Sequence, residues 1–349
     1  MVSRRSFLHQ SWVSPLFLFV VVVALAASSA DGSRTPRVPC YFIFGDSLYD
    51  SGNNNNLNTL AKVNYSPYGI DLPAGPTGRF SNGQTTADAI GEILGFKDFI
   101  PPFASNPDDR QILVGVNYAS GSAGILVESG KHLSQQLRNH EVTVSRIVEI
   151  LGSKVAAFEY LGQCLYICNS GNNDYINNYI LPQSTAIRNQ YNPDQFAALL
   201  ITQYSAQINR LYELGARKVA LAGISNIGCT PSLIATLGTN GAPCVNSVNQ
   251  LVVPFNTRLK SLISQLKLSY PDAKFAYLDS VRVGTLVGAA FRIRATPCCQ
   301  VSTVTGLCLP NTVPCSRRPS YLFWDAFHPT ELANQLAAPL FFPAIQRIL

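Results

Sequence analysis

Short apolar runs that end at polar turns are the feature that most constrains the fold of this chain. A run of this kind, bounded by a turn signal, predicts a buried strand, and four of them occur, at residues 38–44, 161–168, 218–222 and 275–278. Stretches with helical spacing of apolar residues lie between or beside them, at residues 86–94, 133–151, 195–214 and 253–268. Strands that alternate with amphipathic helices predict an α/β fold, in which helices cover both faces of a parallel sheet.

The same pattern predicts where a ligand binds and how the chain is divided. Ligands of parallel sheets bind beyond the carboxyl ends of the strands, and polar loops follow the predicted strands directly. The polar tract at residues 52–58, with its four consecutive asparagines, is too short to be a low-complexity segment. No internal repeat and no Ser/Gly linker divides the chain, so we expect one domain over residues 31–349.

The first thirty residues are predicted to be a secretory signal peptide and not part of the fold. Arg4 and Arg5 form a basic start, residues 16–27 are uncharged and apolar, and small residues at 28–30 precede Asp31. This layout is typical of a signal that a peptidase removes, and the apolar run is shorter than the roughly 20 residues of a membrane-spanning helix. The alternative is an uncleaved anchor. We expect residues 1–30 to be removed and the protein to be secreted, with disulfides formed in an oxidising compartment.

Composition excludes several classes of protein. Hydrophobic residues make up 47% of the chain, and Asp, Glu, Lys and Arg together only 13%, whereas disordered segments have few apolar residues and many charges. The formal net charge of +6 is spread along the chain, without the Lys/Arg clusters that bind nucleic acids. No apolar stretch after the signal is long enough to span a bilayer. We therefore expect neither a nucleic-acid partner nor an integral membrane segment.

The nine cysteines are an odd number, so at least one thiol stays unpaired. Cys229 and Cys244 flank one loop and could pair, and residues 298–315 carry four cysteines in a Pro-rich segment that cross-links would brace. Cys164 and Cys168 fall in a predicted strand, where buried free thiols are common. The sequence leaves the identity of the free thiol open.

The first candidate for chemistry is the loop Gly45-Asp46-Ser47-Leu48, which follows the first predicted strand. Small residues there let the Ser47 hydroxyl project from a strand-to-helix turn, where backbone N–H groups point at a substrate. The alternative is that Asp46 or Ser47 only caps the next helix, as both residue types commonly do. By itself this loop is a weak signal for a nucleophile.

The loop at residues 324–330 offers a base for that serine. A serine nucleophile needs a base, usually His, and a carboxylate that fixes the tautomer of that His. Asp325 and His328 are three residues apart, so one turn of chain brings both side chains to one side. The alternative is a helix start capped by Asp325, with His328 packed in the core. His132 and His140 compete for the role of base, but they lie in a polar helical stretch, where we expect them to face solvent.

Two further loops contain the residue types that stabilise an oxyanion. Residues 117–124 are rich in Gly and Ser, and residues 171–174 (Gly-Asn-Asn-Asp) follow the second predicted strand. A tetrahedral oxyanion needs several preorganised donors, which backbone N–H groups at Gly-rich turns and side-chain amides supply. Each loop alone is more often an ordinary turn, because Gly and Asn are the commonest turn residues.

Together these loops resemble the motifs of the GDSL esterase/lipase family of SGNH hydrolases, and closely its plant secreted branch. The similarity extends from Tyr41 almost to the C-terminus and consists of GDSLYDSGNNN at 45–55, PYGIDLPAGPTGRFSNG at 67–83, LGARKVAL at 214–221, GCTPS at 228–232 and FWDAFHPTE at 323–331. So many blocks in order over most of the chain make the match specific. The resemblance implies a three-layer α/β/α sandwich with a central parallel sheet, of flavodoxin-like type.

Residue by residue, the resemblance implies the roles of a catalytic site. It makes Ser47 the nucleophile, His328 the base and Asp325 the residue that orients the base. The backbone N–H groups of Ser47 and Gly121 and the side-chain amide of Asn173 would form the oxyanion hole.

The chain departs from the family pattern at two positions beside these residues. Ser122 stands where Gly is common, and Asn172 stands where Ser or Gly is often found. Neither replaces a catalytic side chain, although Ser122 could stiffen the oxyanion loop.

The expected activity is hydrolysis of carboxylic esters through an acyl-serine intermediate. The substrate would be a small-molecule, lipid or polymer ester, and the site of action extracellular, in the cell wall or apoplast. The alternatives are an acyltransferase, which passes the same acyl group to an alcohol, and a non-catalytic wall or glycan-binding protein on this scaffold. No H-E-x-x-H, paired C-x-x-C or Walker-type loop occurs, so we expect no metal and no other cofactor. Asn64 is a candidate glycosylation site in Asn64-Tyr65-Ser66, although Pro67 directly after it disfavours its use.

Overall fold

In a computed structural model of the chain, residues 35–129, 132–181 and 185–349 are described, and within them a parallel sheet of four strands forms the centre of the fold. The predicted signal peptide at residues 1–30 lies outside the described residues. The strands lie in the order β1-β2-β3-β4. They are β1 (Tyr41–Gly45), β2 (Leu165–Asn169), β3 (Lys218–Ala222) and β4 (Lys274–Leu278).

Helices connect the strands and cover them. In chain order the α-helices of the described residues are α1 (Thr86–Leu94), α2 (Asp109–Val114), α3 (Leu133–Leu151), α4 (Lys154–Gln163), α5 (Asn172–Tyr175), α6 (Thr185–Gln190), α7 (Pro193–Glu213), α8 (Pro231–Leu237), α9 (Asn246–Leu251), α10 (Val253–Ser269), α11 (Ser280–Ala289) and α12 (Glu331–Gln346). A π-helical turn, Ile176–Ile180, continues α5. None of these helices is long and apolar enough to cross a membrane.

Alternate residues of each strand enter two different cores, which makes three layers. Phe42 and Phe44 of β1 pack with side chains of α3, α4, α7 and α10 on one face of the sheet. Tyr41 and Ile43 pack with side chains of α1, α11 and α12 on the other. Side chains alternate across a strand, so a sheet that is apolar on both faces needs helices on both. The predicted α/β/α sandwich is confirmed.

A short stretch of chain also pairs with the free edge of β1. Ile43 N donates to the carbonyl oxygen of Val116, and Tyr118 N donates to that of Ile43, as in a parallel pair. With this stretch counted, the order of pairing along the chain becomes 2-1-3-4-5, which is the flavodoxin-like order. In such sheets the switch point lies at the first strand, and ligands bind outside its carboxyl end. That end is where Ser47 stands.

The second predicted strand, at residues 161–168, begins too early. Helix α4 continues to Gln163 and β2 starts at Leu165. Leu161 is buried in the last turn of the helix. Because a buried helix end is as apolar as a buried strand, the apolar run alone does not distinguish the end of α4 from the start of β2.

His140 contradicts the expectation that it faces solvent. It is fully buried among aromatic rings, and its Nδ1 lies 3.1 Å from the Tyr118 hydroxyl. Burial lowers its pKa to about 3. His140 follows Leu133 and Leu137 on the buried stripe of α3, so its position in the helical repeat, not the polarity of its neighbours, decides its environment.

The cysteines form four disulfides. The bridges are Cys40–Cys164, Cys229–Cys244, Cys298–Cys315 and Cys299–Cys308. Cys168 is the free cysteine, and it is buried in β2. Of the two cysteines in the second predicted strand, Cys164 is therefore paired: it ends α4 beside the start of β1 and bonds there to Cys40.

Candidate active site

Ser47 lies in a tight turn directly after β1. Gly45 has a φ of +151°, and a Cβ there would lie 2.5 Å from the carbonyl oxygen of Asn169, so only Gly fits between the two strands. The residues after it form a turn in which Leu48 N donates to Asp46 Oδ1 at 3.0 Å. No helix begins here, so the alternative of a simple helix cap does not describe this loop.

Ser47, His328 and Asp325 form one chain of hydrogen bonds. Ser47 Oγ lies 2.7 Å from His328 Nε2, and His328 Nδ1 lies 2.8 Å from both carboxylate oxygens of Asp325. Asp325 is fully buried, His328 is 5% exposed and Ser47 is 9% exposed. A carboxylate on Nδ1 favours the tautomer whose bare Nε2 accepts the serine proton. The arrangement can therefore activate the hydroxyl.

The carboxylate of Asp325 is held by more than the histidine. Backbone N–H groups of Phe327 and His328 donate to Oδ1, each at 2.8 Å. The Tyr68 hydroxyl donates to Oδ2 at 2.6 Å and accepts from Cys308 N at 3.0 Å. Tyr68 stands in the block at residues 67–83, but the sequence does not single it out, because its partner is far away in the chain.

A second buried carboxylate, Asp46, lies below the nucleophile. Its Oδ2 accepts from Asn172 Nδ2 at 2.8 Å. Burial raises the pKa of Asp46 to about 6, although the hydrogen bonds from Asn172 and Leu48 act in the opposite direction. Asn172, the first residue of α5, thus supports the turn that carries Ser47.

Gly121 N–H, which the resemblance names as an oxyanion donor, is already engaged. It donates to Asp50 Oδ2 at 2.9 Å, while Gly52 N and Asn53 N donate to Asp50 Oδ1. Burial raises the pKa of Asp50 to about 6 against the effect of these donors. The next residue, Ser122, lines the cavity, and its N–H has no acceptor among the described residues. Its φ of +64° is in the left-handed region that favours Gly.

The asparagine tract after Ser47 holds the loop that carries Gly121. Asn53 Nδ2 donates to the carbonyl oxygens of Asn117 and Ala119 at 2.9 and 2.8 Å. Asn54 Nδ2 donates to the carbonyl oxygen of Gly121 at 3.1 Å. The first asparagines of this tract belong to the family block at residues 45–55, but only the contacts across the fold show that they hold this loop.

The other end of the same loop is held from α5. The buried carboxylate of Asp174 accepts from Ile125 N at 2.8 Å and from Leu126 N at 2.9 Å. Asn173, the predicted third donor, lines the cavity, and its Nδ2 donates to the carbonyl oxygen of Ala123 at 2.9 Å. Because an amide carries two N–H groups, one remains for a ligand.

A cavity of about 720 Å³ opens onto these groups. Ser47, His328, Ser122 and Asn173 all line it, so the structure brings the candidate nucleophile, base and donors to one space. This volume is within the range of small-molecule sites. Asn64, the candidate glycosylation site, is exposed elsewhere, and its use stays a prediction. In the described part of the chain, no group of three or more His, Cys, Asp and Glu side chains could hold a metal ion.

Comparisons with known proteins agree with this geometry. The family model described as GDSL-like lipase/acylhydrolase matches residues 41–341. The chain is 44% identical to GDSL esterase/lipase At1g29670 of Arabidopsis thaliana over 342 residues, covering 94% of this chain and 93% of the relative. It is 45% identical to GDSL esterase/lipase At4g18970 of the same plant, with 91% of each chain covered.

The family match covers both the strand that positions Ser47 and the loop that positions Asp325 and His328. The resemblance drawn from the motifs is therefore confirmed, and the chain belongs to the GDSL-like lipase/acylhydrolase family.

Proposed function

We propose that this protein is a secreted serine esterase/lipase that hydrolyses carboxylic esters through an acyl-serine intermediate. The observation that carries the proposal is the chain of hydrogen bonds from Ser47 through His328 to Asp325, which opens onto a cavity. Membership of an acylhydrolase family supports ester hydrolysis as the reaction class. The relatives are named esterase/lipase, which agrees with this class.

Acylation begins with attack of Ser47 Oγ on the ester carbonyl carbon. His328 Nε2 takes the serine proton, and Asp325 stabilises the imidazolium that forms. When the tetrahedral intermediate collapses, the bond to the alcohol breaks and His328 gives its proton to the leaving oxygen. A water molecule then repeats the sequence on the acyl-serine: His328 accepts a proton from it, the acid leaves, and Ser47 regains its hydrogen.

We assign the oxyanion hole to Ser47 N–H, Asn173 Nδ2 and, in place of Gly121, Ser122 N–H. An N–H group that already donates to a buried carboxylate, as Gly121 does to Asp50, is not available for the oxyanion. Ser47 N–H, like Ser122 N–H, has no acceptor within the described residues. Donors that are fixed before the charge develops stabilise it without reorganisation.

We also propose that the protein acts outside the cell. The signal-like residues 1–30 support this, and so do the four disulfides, because such bridges persist in oxidising compartments and are rare in the cytosol.

Replacement of the nucleophile tests the catalytic assignment. Ser47→Ala should abolish hydrolysis of p-nitrophenyl esters and labelling by a fluorophosphonate, since the proposed acyl-enzyme forms on the Ser47 hydroxyl. Ser145→Ala, on the exposed side of α3, is the control and should keep both. Circular dichroism checks that both variants fold. Turnover by a folded Ser47→Ala variant at the wild-type rate would refute the assignment.

A further inference from the structure

We propose that the hydroxyl of Ser122 is a further catalytic group, which donates a hydrogen bond to the oxyanion beside the N–H of the same residue. This inference rests on the proposed function, because it needs a tetrahedral intermediate on Ser47. It goes beyond that function by adding a side-chain hydroxyl to a hole otherwise made of backbone N–H groups and one side-chain amide.

Ser122 occupies a turn position that suits glycine. Ala123 N donates to the carbonyl oxygen of Ser120 at 3.0 Å, which closes a turn with Gly121 and Ser122 at its centre. The φ of Ser122 is +64°, whereas that of Gly121 is not positive. A positive φ at the second central residue alone is typical of a type II turn, where Gly or Asn is usual. A Cβ makes this conformation unfavourable, so the side chain of Ser122 is retained against a backbone preference.

Ser122 differs from the other residues that share this conformation. In the part of the chain that the structure describes, the other non-glycine residues with a positive φ are Asn106, Asn240 and Asn311, and Asn tolerates a positive φ because its side chain can hydrogen-bond locally. The Ser122 hydroxyl makes no hydrogen bond to any described residue. Strained residues cluster at functional sites, so this unpartnered side chain points to a partner that arrives with the substrate.

Ser122 lies at the cavity that contains Ser47. Of residues 117–126, all of which the structure describes, only Ser122 lines this cavity, and it is partly exposed. The residue before it has no room for a side chain, because a Cβ on Gly121 would lie 2.7 Å from Phe80 Cζ. Ser122 is therefore the residue of this loop that can offer a side chain to a ligand in the cavity.

The Ser122 hydroxyl lies beside two groups already assigned to the oxyanion hole. Asn173 Nδ2 donates to the carbonyl oxygen of Ala123, the next residue in the chain. Only Cα and Cβ separate the Ser122 hydroxyl from the Ser122 N–H, so both can donate to the same oxygen. A hydrogen bond from a hydroxyl to an oxyanion is shorter and stronger than one between neutral groups, and a donor already in place stabilises the charge without reorganisation.

Two variants at one position test the proposal on the full-length secreted protein. Ser122→Ala removes the hydroxyl and keeps the Cβ, whereas Ser122→Gly removes both. Since an oxyanion forms in acylation and again in deacylation, we expect both variants to lower kcat for p-nitrophenyl acetate by the same factor, at least about tenfold. KM should change little, because the hydroxyl acts on a charge that the bound ester does not yet carry.

Melting temperatures separate this role from a structural one. Ser122→Gly should melt at a higher temperature than the wild type, because Gly adopts a positive φ without strain, and Ser122→Ala should not. A variant that is more stable and less active shows that the loss of kcat does not come from a weakened fold.

A trifluoromethyl ketone provides a direct readout of the oxyanion hole. It adds to a serine nucleophile as a tetrahedral hemiketal anion and so reproduces the charge of the intermediate. Its inhibition constant should rise in both variants by the factor by which kcat/KM falls.

Two control variants accompany the test. Ser225→Ala removes another partly exposed hydroxyl from the cavity wall, after β3 and outside the oxyanion loop. Asn106→Gly introduces Gly at another position with a positive φ, 53°, which is exposed. Both should keep the wild-type kcat and the wild-type inhibition constant.

A fall in kcat of less than about tenfold in either folded Ser122 variant overturns the proposal, since the hydroxyl is absent from both. An inhibition constant that stays at the wild-type value in either variant also overturns it. Failure of the proposed function looks different: the wild-type protein itself would hydrolyse no ester, and a fluorophosphonate would not label Ser47.

Discussion

At the scale of single residues, two buried carboxylates near the proposed nucleophile, Ser47, differ in the groups that donate hydrogen bonds to them. Asp325 accepts hydrogen bonds from His328, from two backbone N–H groups and from the Tyr68 hydroxyl. Asp46 accepts from Asn172 and from Leu48 N. Hydrogen bonds to the charged form offset the free-energy cost of burying a carboxylate. Asp325 accepts more of these hydrogen bonds than Asp46 does.

Tyr68→Phe should weaken both the fold and the catalytic centre. The change removes a hydrogen bond to a charged group, which contributes about 1.5–3 kcal/mol, and leaves Cys308 N without its acceptor. We expect the free energy of unfolding in urea to fall by about this amount and kcat to fall, because Asp325 then orients His328 less firmly.

Tyr65→Phe is the control for that change. Like Tyr68, Tyr65 contacts Cys308: its hydroxyl donates to the Cys308 carbonyl oxygen at 2.9 Å. It makes no hydrogen bond to Asp325. Its loss should cost about 1 kcal/mol of stability and leave kcat at the wild-type value. Equal losses of kcat in the two variants would contradict a role of Tyr68 in holding Asp325.

Asp46 should make the stability of the protein depend on pH. Its pKa is about 6 in the fold and 3.8 when unperturbed, because burial disfavours the charged form. Between pH 3.8 and pH 6 the Asp46 carboxyl keeps its proton in the native state and releases it in the unfolded state. The stabilisation that protonated Asp46 gives the native state is therefore fully present below pH 3.8 and is lost as the pH rises through 6. The loss amounts to about 3 kcal/mol.

Asp46→Asn isolates this effect. The side-chain amide of Asn172 can flip so that its Oδ1 accepts a hydrogen bond from the amide introduced at position 46. Asn172 Oδ1 is available for this because it has no partner among the described residues. Urea unfolding of both proteins across this pH range should show the wild type losing stability relative to the variant. A difference in stability that is constant with pH would contradict the raised pKa.

At the scale of elements, the loop at residues 117–126, which carries the proposed oxyanion donor Ser122, is a separate segment that other segments hold at both ends. Asp50, Asn53 and Asn54 hold its beginning from the turn after β1, and Asp174 holds its end from α5. A loop fixed by several hydrogen bonds at each end keeps its N–H groups in place before a substrate arrives. This is the preorganisation that oxyanion stabilisation needs.

Asn54→Ala should therefore lower kcat more than KM. It removes the hydrogen bonds to the Gly121 carbonyl and to the Ser120 hydroxyl, and a displacement of catalytic groups by about 1 Å can cost roughly 100-fold in rate. We expect a fall in kcat of at least about tenfold, measured with a short ester.

Asn56→Ala is the matched control, since Asn56 belongs to the same tract but is exposed. Its kcat should stay within about twofold of the wild-type value, because surface substitutions away from such contacts have small effects. If Asn54→Ala lowers the melting temperature but not kcat, the asparagine tract is a structural support only.

At the scale of the whole molecule, the disulfides reinforce the start of the β1–β2 pair and the segment that packs against Trp324. Cys40–Cys164 closes a loop of 124 residues between the start of β1 and the end of α4. Cys298–Cys315 and Cys299–Cys308 brace the segment whose backbone donates to the carbonyl oxygen of Trp324, next to Asp325. Cross-links restrict the unfolded chain more as the loop grows, so the first bridge stabilises the fold and the last two support the catalytic loop.

A thiol titration checks this pairing on the intact protein. Ellman's reagent should find one thiol in guanidinium chloride and none in the native state, because Cys168 is buried and burial raises the pKa of its thiol. Mass mapping of the non-reduced peptides identifies the four bridges. A thiol count of three or more would contradict at least one of the four bridges, and the peptide map would show which one.

The sequence by itself determined the features that depend on neighbours along the chain. Three elements have the predicted bounds: the helices at residues 86–94 and 133–151 and the strand at residues 218–222. Their bounds follow from the sequence because the spacing of apolar residues along the chain matches the period of the element. The motifs also nominated Ser47, Asp325 and His328 as candidates, and the structure brings their side chains within hydrogen-bond distance of one another.

Only the tertiary structure decided the features that depend on residues far apart in the chain. Tyr68 meets Asp325 across 257 positions, and Gly121 loses its N–H to Asp50 across 71. A buried carboxylate needs donors wherever the fold supplies them, so packing decides that Asp50 engages the N–H of Gly121 and leaves that of Ser122 without an acceptor among the described residues. Local sequence carries no record of which distant group is already satisfied.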